Sequence, residues 1–383
     1  MRILHVHSGN LYGGVETTLV TQARNAHLYS GMHLSFALCF EGRFSKELID
    51  AGVTISWLDH VRIRNPLTVR RVRRALNELL QREVFDAVVV HSFWSQAIFG
   101  PVVCAKGVPL VFYLHGPANG HHWLELWARR TRPDMVVCNS RFTAATVLQL
   151  YPRIPAEIVY CPVASLTLGH SQADINRTRT ELKTPRDATV IIQVSRMEEG
   201  KGQAKLLEAL SLLKDLPNWV CWQVGSPQRS AENKYLQRLK KMAGNFGVAQ
   251  RVLFLNQDAN VSELLAAADI YCQPNTRPES FGITFVEALY AHLPVVTTRI
   301  GGAREIIDES CGLLVNRDDV RAVADALTLL IQNSSLRRRL GAAGPARARA
   351  LTDVPSQMLK LQNCFFRALS GNGKTSSENL GSS

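Results

Sequence analysis

The stretch 277-RPESFGITFVEA-288 decides how the rest of this 383-residue chain is read. It carries two glutamates, Glu279 and Glu287, with seven residues between them. Pro278, Ser280 and Gly282 are loop and helix-start residues, so a helix should begin near Phe281 or Gly282 and run through ITFVEALYA. Glu279 then stands in the loop before the helix and Glu287 well inside it. On one continuous helix such a pair would lie about 12 Å apart, at 1.5 Å per residue. With the first carboxylate in a loop, both can converge on one extended ligand. Taken alone, the pair reads more readily as a capped helix end with one solvated glutamate, so the surroundings have to decide.

The helix start offers backbone N–H groups without intrahelical partners, and Gly282 allows close approach, so a phosphate is the natural guest. A ligand with phosphate in its middle and hydroxyls at both ends would use every part of the stretch. A nucleotide sugar is such a ligand.

Working outward, short apolar runs alternate with helical patterns on both sides. Upstream, RILHVH (2–7), LSFALCF (34–40), TISWLD (54–59), FDAVVVHS (85–92), PLVFYLHG (109–116) and DMVVCNS (134–140) read as strands. The pattern restarts at TVIIQVSRM (189–197) and continues through WVCWQVGS, RVLFLN, IYCQPN, LPVVTTRIGG and GLLV. This predicts an α/β chain of two Rossmann-like, doubly wound domains. Their expected limits are 1–165 and 188–354, with a polar linker at 166–187. A C-terminal helix over 355–370, expected to pack back on the first domain, and a disordered tail over 371–383 complete the layout. In parallel sheets of this kind, ligands bind at the carboxyl ends of the strands.

Composition is that of an ordinary globular protein, 46% hydrophobic and 20% charged. The N-terminus reads as a strand and not as a signal peptide, and no run of about 18 apolar residues predicts a membrane-spanning helix. The eight cysteines are scattered without a Cys-x-x-Cys, which favours buried free thiols in a reducing cytosol. The net charge of +12 suits an anionic partner without saying which.

Several residues at strand ends carry candidate chemistry. Gly13 and Gly14, after the first strand, could bring backbone amides to a phosphate or sugar, although the Gly-x-Gly-x-x-Gly dinucleotide fingerprint is absent. His115 ends a strand before Gly116 and could bond a sugar hydroxyl or shuttle a proton. Arg196 and Lys201 flank a turn ending in Gly202, where two cations would neutralise a diphosphate. Arg70, Arg71, Arg73 and Arg74 crowd the start of an amphipathic helix, with Arg62 and Arg64 upstream and Arg129, Arg130 and Arg132 beyond. Such clusters read either as a solvated face or as a surface for anionic lipid or a polyanionic acceptor. No aromatic residue interleaves them in sequence, which argues against nucleic acid.

The ordered set GGVE (13–16), LHG (114–116), NSRFTAATV (139–147), SRMEEGKG (195–202), PESFGITFVEA (278–288) and GGAREII (301–307) resembles glycosyltransferase family 4. The resemblance covers nearly the whole chain and implies the GT-B fold, two domains facing a cleft, and retaining glycosyl transfer from a nucleotide sugar. It implies that Arg196 and Lys201 bind the donor diphosphate and that Glu287 holds the ribose hydroxyls. Glu279 would contact the transferred sugar, helped by the amides around Phe281, Gly282 and Ile283. His115 would touch that sugar from the first domain, and the Gly13–Gly14 loop would close over the phosphates. It implies no cofactor and no metal, in keeping with the lack of an Asp-x-Asp pair. The expected partners are the nucleotide-sugar donor, a glycan or lipid-linked sugar acceptor and an anionic membrane touched peripherally. The expected setting is cytoplasmic, in cell-envelope or exopolysaccharide synthesis. Another GT-B activity (epimerase or phosphorylase) and a silent nucleotide-sugar-binding subunit are the competing readings.

Overall fold

The apolar runs become two parallel sheets, each in its own unit of the chain. The computed structural model describes residues 1–29, 31–164, 170–256 and 260–372. One unit comprises Met1–Pro162 with the stretch from Asp353 onward, and the other Val163–Thr352.

The first sheet is built from β1 (Arg2–His7), β2 (His33–Leu38), β3 (Thr54–Trp57), β4 (Ala87–His91), β5 (Leu110–Leu114), β6 (Met135–Cys138) and β7 (Ala156–Ile158). Their spatial order is β3-β2-β1-β4-β5-β6-β7. Because helices cover both faces, the central strands β4 and β5 are buried at every position instead of alternating. Val88, Val90, Phe112 and Leu114 pack on Val69, Val72, Leu76 and Leu79 of the helix Pro66–Arg82. Their neighbours Val89, Val111 and Tyr113 point the other way, into a core shared with Leu19, Met358, Leu361 and Phe365. The last three lie on the helix Val354–Asn372, so the C-terminal stretch completes the first unit. Full burial of a side chain such as Phe365 stabilises by about 1.5–3 kcal/mol. The expected tail beyond residue 372 lies outside the described residues.

The second sheet contains β8 (Thr189–Val194), β9 (Trp219–Val224), β10 (Val252–Leu255), β11 (Ile270–Gln273), β12 (Val295–Thr298) and β13 (Gly312–Val315), ordered β10-β9-β8-β11-β12-β13. Strand order reverses between β8 and β11, which makes their carboxyl ends the switch point of this sheet. The chain leaves β8 into 195–202 and β11 into 274–282, so both motif loops emerge there. In the first sheet the reversal lies between β1 and β4.

Residues 166–187, expected as a linker, are assigned differently. Part of that segment, 166–169, lies outside the described residues. The rest contains the helix Gln172–Glu181, which is fastened to the second unit. Arg179 donates to the Asp269 carboxylate at 2.7 Å and to the Ala267 carbonyl at 2.9 Å. A buried-side arginine with a carboxylate partner holds a polar helix that has little apolar surface of its own. All eight cysteines are free thiols, and all but Cys104 are buried. Among the described residues no helix is long and apolar enough to cross a membrane.

Candidate functional site

In the second unit, two loops are bound to each other before any ligand arrives. Thr276 and Arg277 amides donate to the Gly200 carbonyl at 3.1 and 3.3 Å, and the Thr276 hydroxyl donates to Glu199 at 3.1 Å. Gly202 takes φ 76°, and a Cβ there would stand 1.9 Å from the Pro274 carbonyl oxygen. Only glycine lets the β8 loop turn against the β11 loop this closely.

Buried glutamines fix the backbone under the two expected cations. Gln193 donates to the Lys201 carbonyl at 2.7 Å, and Gln203 donates to the Arg196 carbonyl at 2.8 Å. The Lys201 ammonium then lies 2.5 Å from Glu279 Oε2, with both side chains about one-fifth exposed. Arg196 Nη1 pairs with Glu198 at 2.7 Å. Both expected cations are thus engaged by carboxylates, and an incoming diphosphate would compete for them. Arg229 and Arg277, which sequence reasoning gave no role, line the same cavity of about 630 Å³ together with Arg196, Lys201, Glu279 and Tyr235. Neither makes an ion pair among the described residues. Arg277 stood in plain sight beside the motif; nothing in the sequence marked Arg229.

The helix Ile283–Tyr290 starts just after Gly282, at φ 112°. A Cβ there would lie 2.4 Å from the Phe285 ring, so the entry to the helix also requires glycine. Phe281 is buried and Ile283 half-buried. The amides of Ile283 and Thr284 donate to no backbone carbonyl among the described residues, as expected for a first turn. Glu287 sits a turn further, about 6 Å along the axis from Ile283. Its carboxylate is half-buried and takes no hydrogen bond or ion pair among the described residues. Burial alone pushes it up to about 7. A partly buried carboxylate left unpaired on this helix is poised for hydroxyl donors. Neither Glu287 nor Phe281–Ile283 lines the cavity that holds Arg196 and Lys201.

The remaining expected residues belong to the first unit. Gly13 caps the helix Gly14–Asn25 at φ −166°, an extended conformation open to any residue. Its amide is already taken, donating to Glu16 Oε2 at 2.8 Å, so it is not free for a phosphate in this conformation. Gly14 is exposed. Glu16 reaches further, to His7 Nε2 at 2.8 Å. His115 follows β5, stacks on Tyr113 at 4.4 Å and has its Nε2 2.9 Å from His91 Nδ1. Burial holds it low, at about 3, so the ring is neutral near pH 7. His5, His7, Glu16 and His91 were not anticipated.

Comparisons with known proteins place these units. Residues 12–164 match the family described as Glycosyltransferase Family 4, and residues 174–347 match Glycosyl transferases group 1. A phosphatidyl-myo-inositol mannosyltransferase of Mycobacterium leprae is 35% identical over 183 residues, covering 46% of this chain and 47% of that protein. A D-inositol 3-phosphate glycosyltransferase of Corynebacterium glutamicum is 32% identical over 246 residues, 60% of this chain and 57% of its own length. The alignments thus span about half the length of these curated relatives. Among solved structures, Anabaena Alr3699/HepE in complex with UDP and glucose superposes with a TM-score of 0.83 at 22% identity, covering 95% of this chain and 98% of that one.

Proposed function

The chain belongs to the family 4 glycosyltransferases of GT-B fold, and from that premise we propose that it moves a sugar from a nucleoside-diphosphate sugar to an acceptor hydroxyl. The observation that carries this reading is the convergence of Arg196, Lys201 and Glu279 on one cavity at the loops leaving the switch point of the second sheet, with the Gly282 helix start following directly on the second of those loops. Lys201, Arg196 and the helix amides meet the leaving diphosphate, where charge grows as the glycosidic bond to phosphate breaks. Arg229 and Arg277 add to that field, and protein cations take the place of a divalent metal. Glu287 accepts hydrogen bonds from the ribose hydroxyls. Glu279, ion-paired with Lys201, orients the transferred sugar, and His115 bonds one of its hydroxyls.

Retention belongs to the same proposal. The acceptor oxygen attacks from the face the phosphate leaves, through an oxocarbenium-like state. The acceptor proton passes to the departing phosphate oxygen, so no enzyme nucleophile is needed. The Lys201 ion pair on Glu279 supports this, because a paired carboxylate is a poor nucleophile. UDP-sugars are the first donors to try, since the Anabaena neighbour was solved with UDP and glucose. Product analysis tests the reading: transfer should yield a glycoside with the anomeric configuration of the donor. An inverted product refutes retention, and the absence of any product with every donor and acceptor refutes transfer.

The acceptor is proposed to be a glycan or lipid-linked sugar of the cell envelope, met in the cytoplasm at an anionic membrane face. Space supplies what sequence order lacks: Trp94 and Trp123 are 43% and 48% exposed, edge to face at 6.0 Å, and Trp123 stacks on Trp127 at 6.5 Å. Ile63, between Arg62 and Arg64, packs like Trp127 and Phe93 against the small cluster of Ala97, Leu124 and Ala128. Arg62, Arg64, Arg70, Arg129 and Arg130 are exposed without an ion pair among the described residues. Exposed tryptophans among unpaired arginines suit a headgroup boundary. The protein should sediment with vesicles containing acidic lipid, progressively less as salt rises; binding indifferent to lipid charge would contradict this.

A further inference from the structure

The first unit contains a row of imidazoles of which the proposed reaction uses only the last, His115. His5 lies on β1, His91 ends β4 and His115 follows β5, and these strands are neighbours in the order β1-β4-β5. His5 Nδ1 stands 2.9 Å from His91 Nε2, and His91 Nδ1 stands 2.9 Å from His115 Nε2. Successive rings are inclined by 9° and 29°, with centroids 5.2 Å apart in each step. Phe36 stacks on His5 from one side at 5.0 Å and Phe365 meets it edge-on. His7 lies beside the row, 6.3 Å from His91, but is tied to Glu16 instead.

The chemistry of such a row is restrictive. Burial drives His5 down to about 3 and His91 well below its ordinary value, so both rings are neutral. A neutral imidazole has one N–H and one bare nitrogen, so each bond in the row needs a donor facing an acceptor. Once the direction of one bond is chosen, every ring in the row carries its proton on the same nitrogen. The buried end selects the direction. His5 Nε2 is enclosed and has no partner. With protons on Nε2 throughout, the row would end in an orphaned buried N–H; with protons on Nδ1 it ends in a bare nitrogen. Orphaned buried donors are the rarer of the two. The open end is His115 Nδ1, which has no partner among the described residues.

We propose that His5 and His91 are positioning residues, forming a relay of two hydrogen bonds that fixes His115 with its proton on Nδ1. His115 is thereby offered to its ligand as a hydrogen-bond donor, suited to a hydroxyl or phosphate oxygen. The consequence for sugar binding rests on the placement of His115 in the donor site; the relay itself does not.

The test is nitrogen NMR of the full-length protein labelled with 15N-histidine, with resonances assigned by His5→Phe, His91→Phe and His115→Phe. The pattern expected is an Nδ1–H tautomer for His5, His91 and His115 alike, against the Nε2–H form that free neutral histidine prefers. In His91→Phe, which keeps an aromatic ring but removes the donor, His115 should return toward Nε2–H. An Nε2–H or exchange-averaged signal for any of the three in the wild type overturns the proposal, as does a His115 tautomer indifferent to His91→Phe. Should His91→Phe fail to fold, the wild-type spectrum alone decides. UDP-glucose added to the same sample should perturb His115 Nδ1. If it binds and His115 stays unmoved while the tautomers are as stated, the relay stands and the donor contact of His115 falls.

Discussion

Lys201→Ala should lower the rate of sugar transfer by about 10²–10³-fold, the loss typical of removing one preorganised charge from a developing oxyanion. The lysine is held before the ligand arrives. Its carbonyl is gripped by the buried Gln193, its turn is locked by Gly202, and its ammonium sits 2.5 Å from Glu279. The backbone under the lysine is therefore fixed in advance, and only its ammonium has to be shared between Glu279 and the diphosphate. Alanine acts twice, because it also leaves Glu279 partly buried and unpaired beside the phosphates. The double variant with Glu279→Gln separates these effects: activity recovered relative to Lys201→Ala measures the repulsion from the orphaned carboxylate. The stability cost should be small, about 1 kcal/mol or less, since the ion pair is still partly solvated. Single-turnover rates beside thermal melts check both statements. Equal rates for wild type and Lys201→Ala would remove the lysine from the chemistry.

Glu287→Gln should do the opposite to stability while damaging binding. In the folded protein this carboxyl sits at about 7 instead of 4.5. Between those values the native state holds a proton that the unfolded chain releases. The associated stability is fully present below about pH 4.5 and is lost as pH rises through about 7. At pH 8 the wild type therefore carries a partly desolvated, unpaired charge at a cost of about 1–2 kcal/mol, allowing for its partial exposure. Glutamine removes that cost, so the variant should melt a few degrees higher at pH 8, with the gap closing toward pH 5. Its affinity for a nucleotide sugar should fall by about 10–100-fold, because an amide cannot accept from two hydroxyls as a carboxylate does. Paired melts and titrations at pH 5 and 8 read both effects. A site residue that weakens the fold it serves is a common compromise.

The regular parts of the fold were legible because their causes are local. Apolar runs bounded by turns located twelve of the described strands, and the change from loop to helix around Gly282 was read to within two residues. Strand Ala156–Ile158 was missed because three residues carry no period. Helix Ser92–Ala105 was missed because it is apolar on most sides, leaving no stripe to read. Helix Ser334–Thr352 hid behind Gly341, Gly344 and Pro345, which signal breaks but here allow close packing.

The site was legible as residue types and illegible as partnerships. Lys201 and Glu279 are 78 residues apart, and His5 and His91 are 86 apart. Each contact exists only because parallel strands distant in sequence lie side by side, the first through the loops that leave β8 and β11 and the second between β1 and β4. The capture of the Gly13 amide by Glu16 is local but was hidden for another reason, since a helix cap and a phosphate loop share one sequence pattern. The tryptophans near the basic helix come from other elements, so an aromatic interleaving absent along the chain is present in space.

The most direct test of the central claim is the melting temperature of wild type, Lys201→Ala and Glu287→Gln against UDP-, GDP- and ADP-sugars. A ligand at 100 times its Kd stabilises the folded state by about 2.7 kcal/mol, a shift readily resolved in a melt. The account predicts that at least one nucleotide sugar raises the wild-type Tm and that both variants lose most of that response. Wild type unmoved by every donor, or variants that respond as fully as wild type, would contradict a nucleotide-sugar site on the β8 and β11 loops.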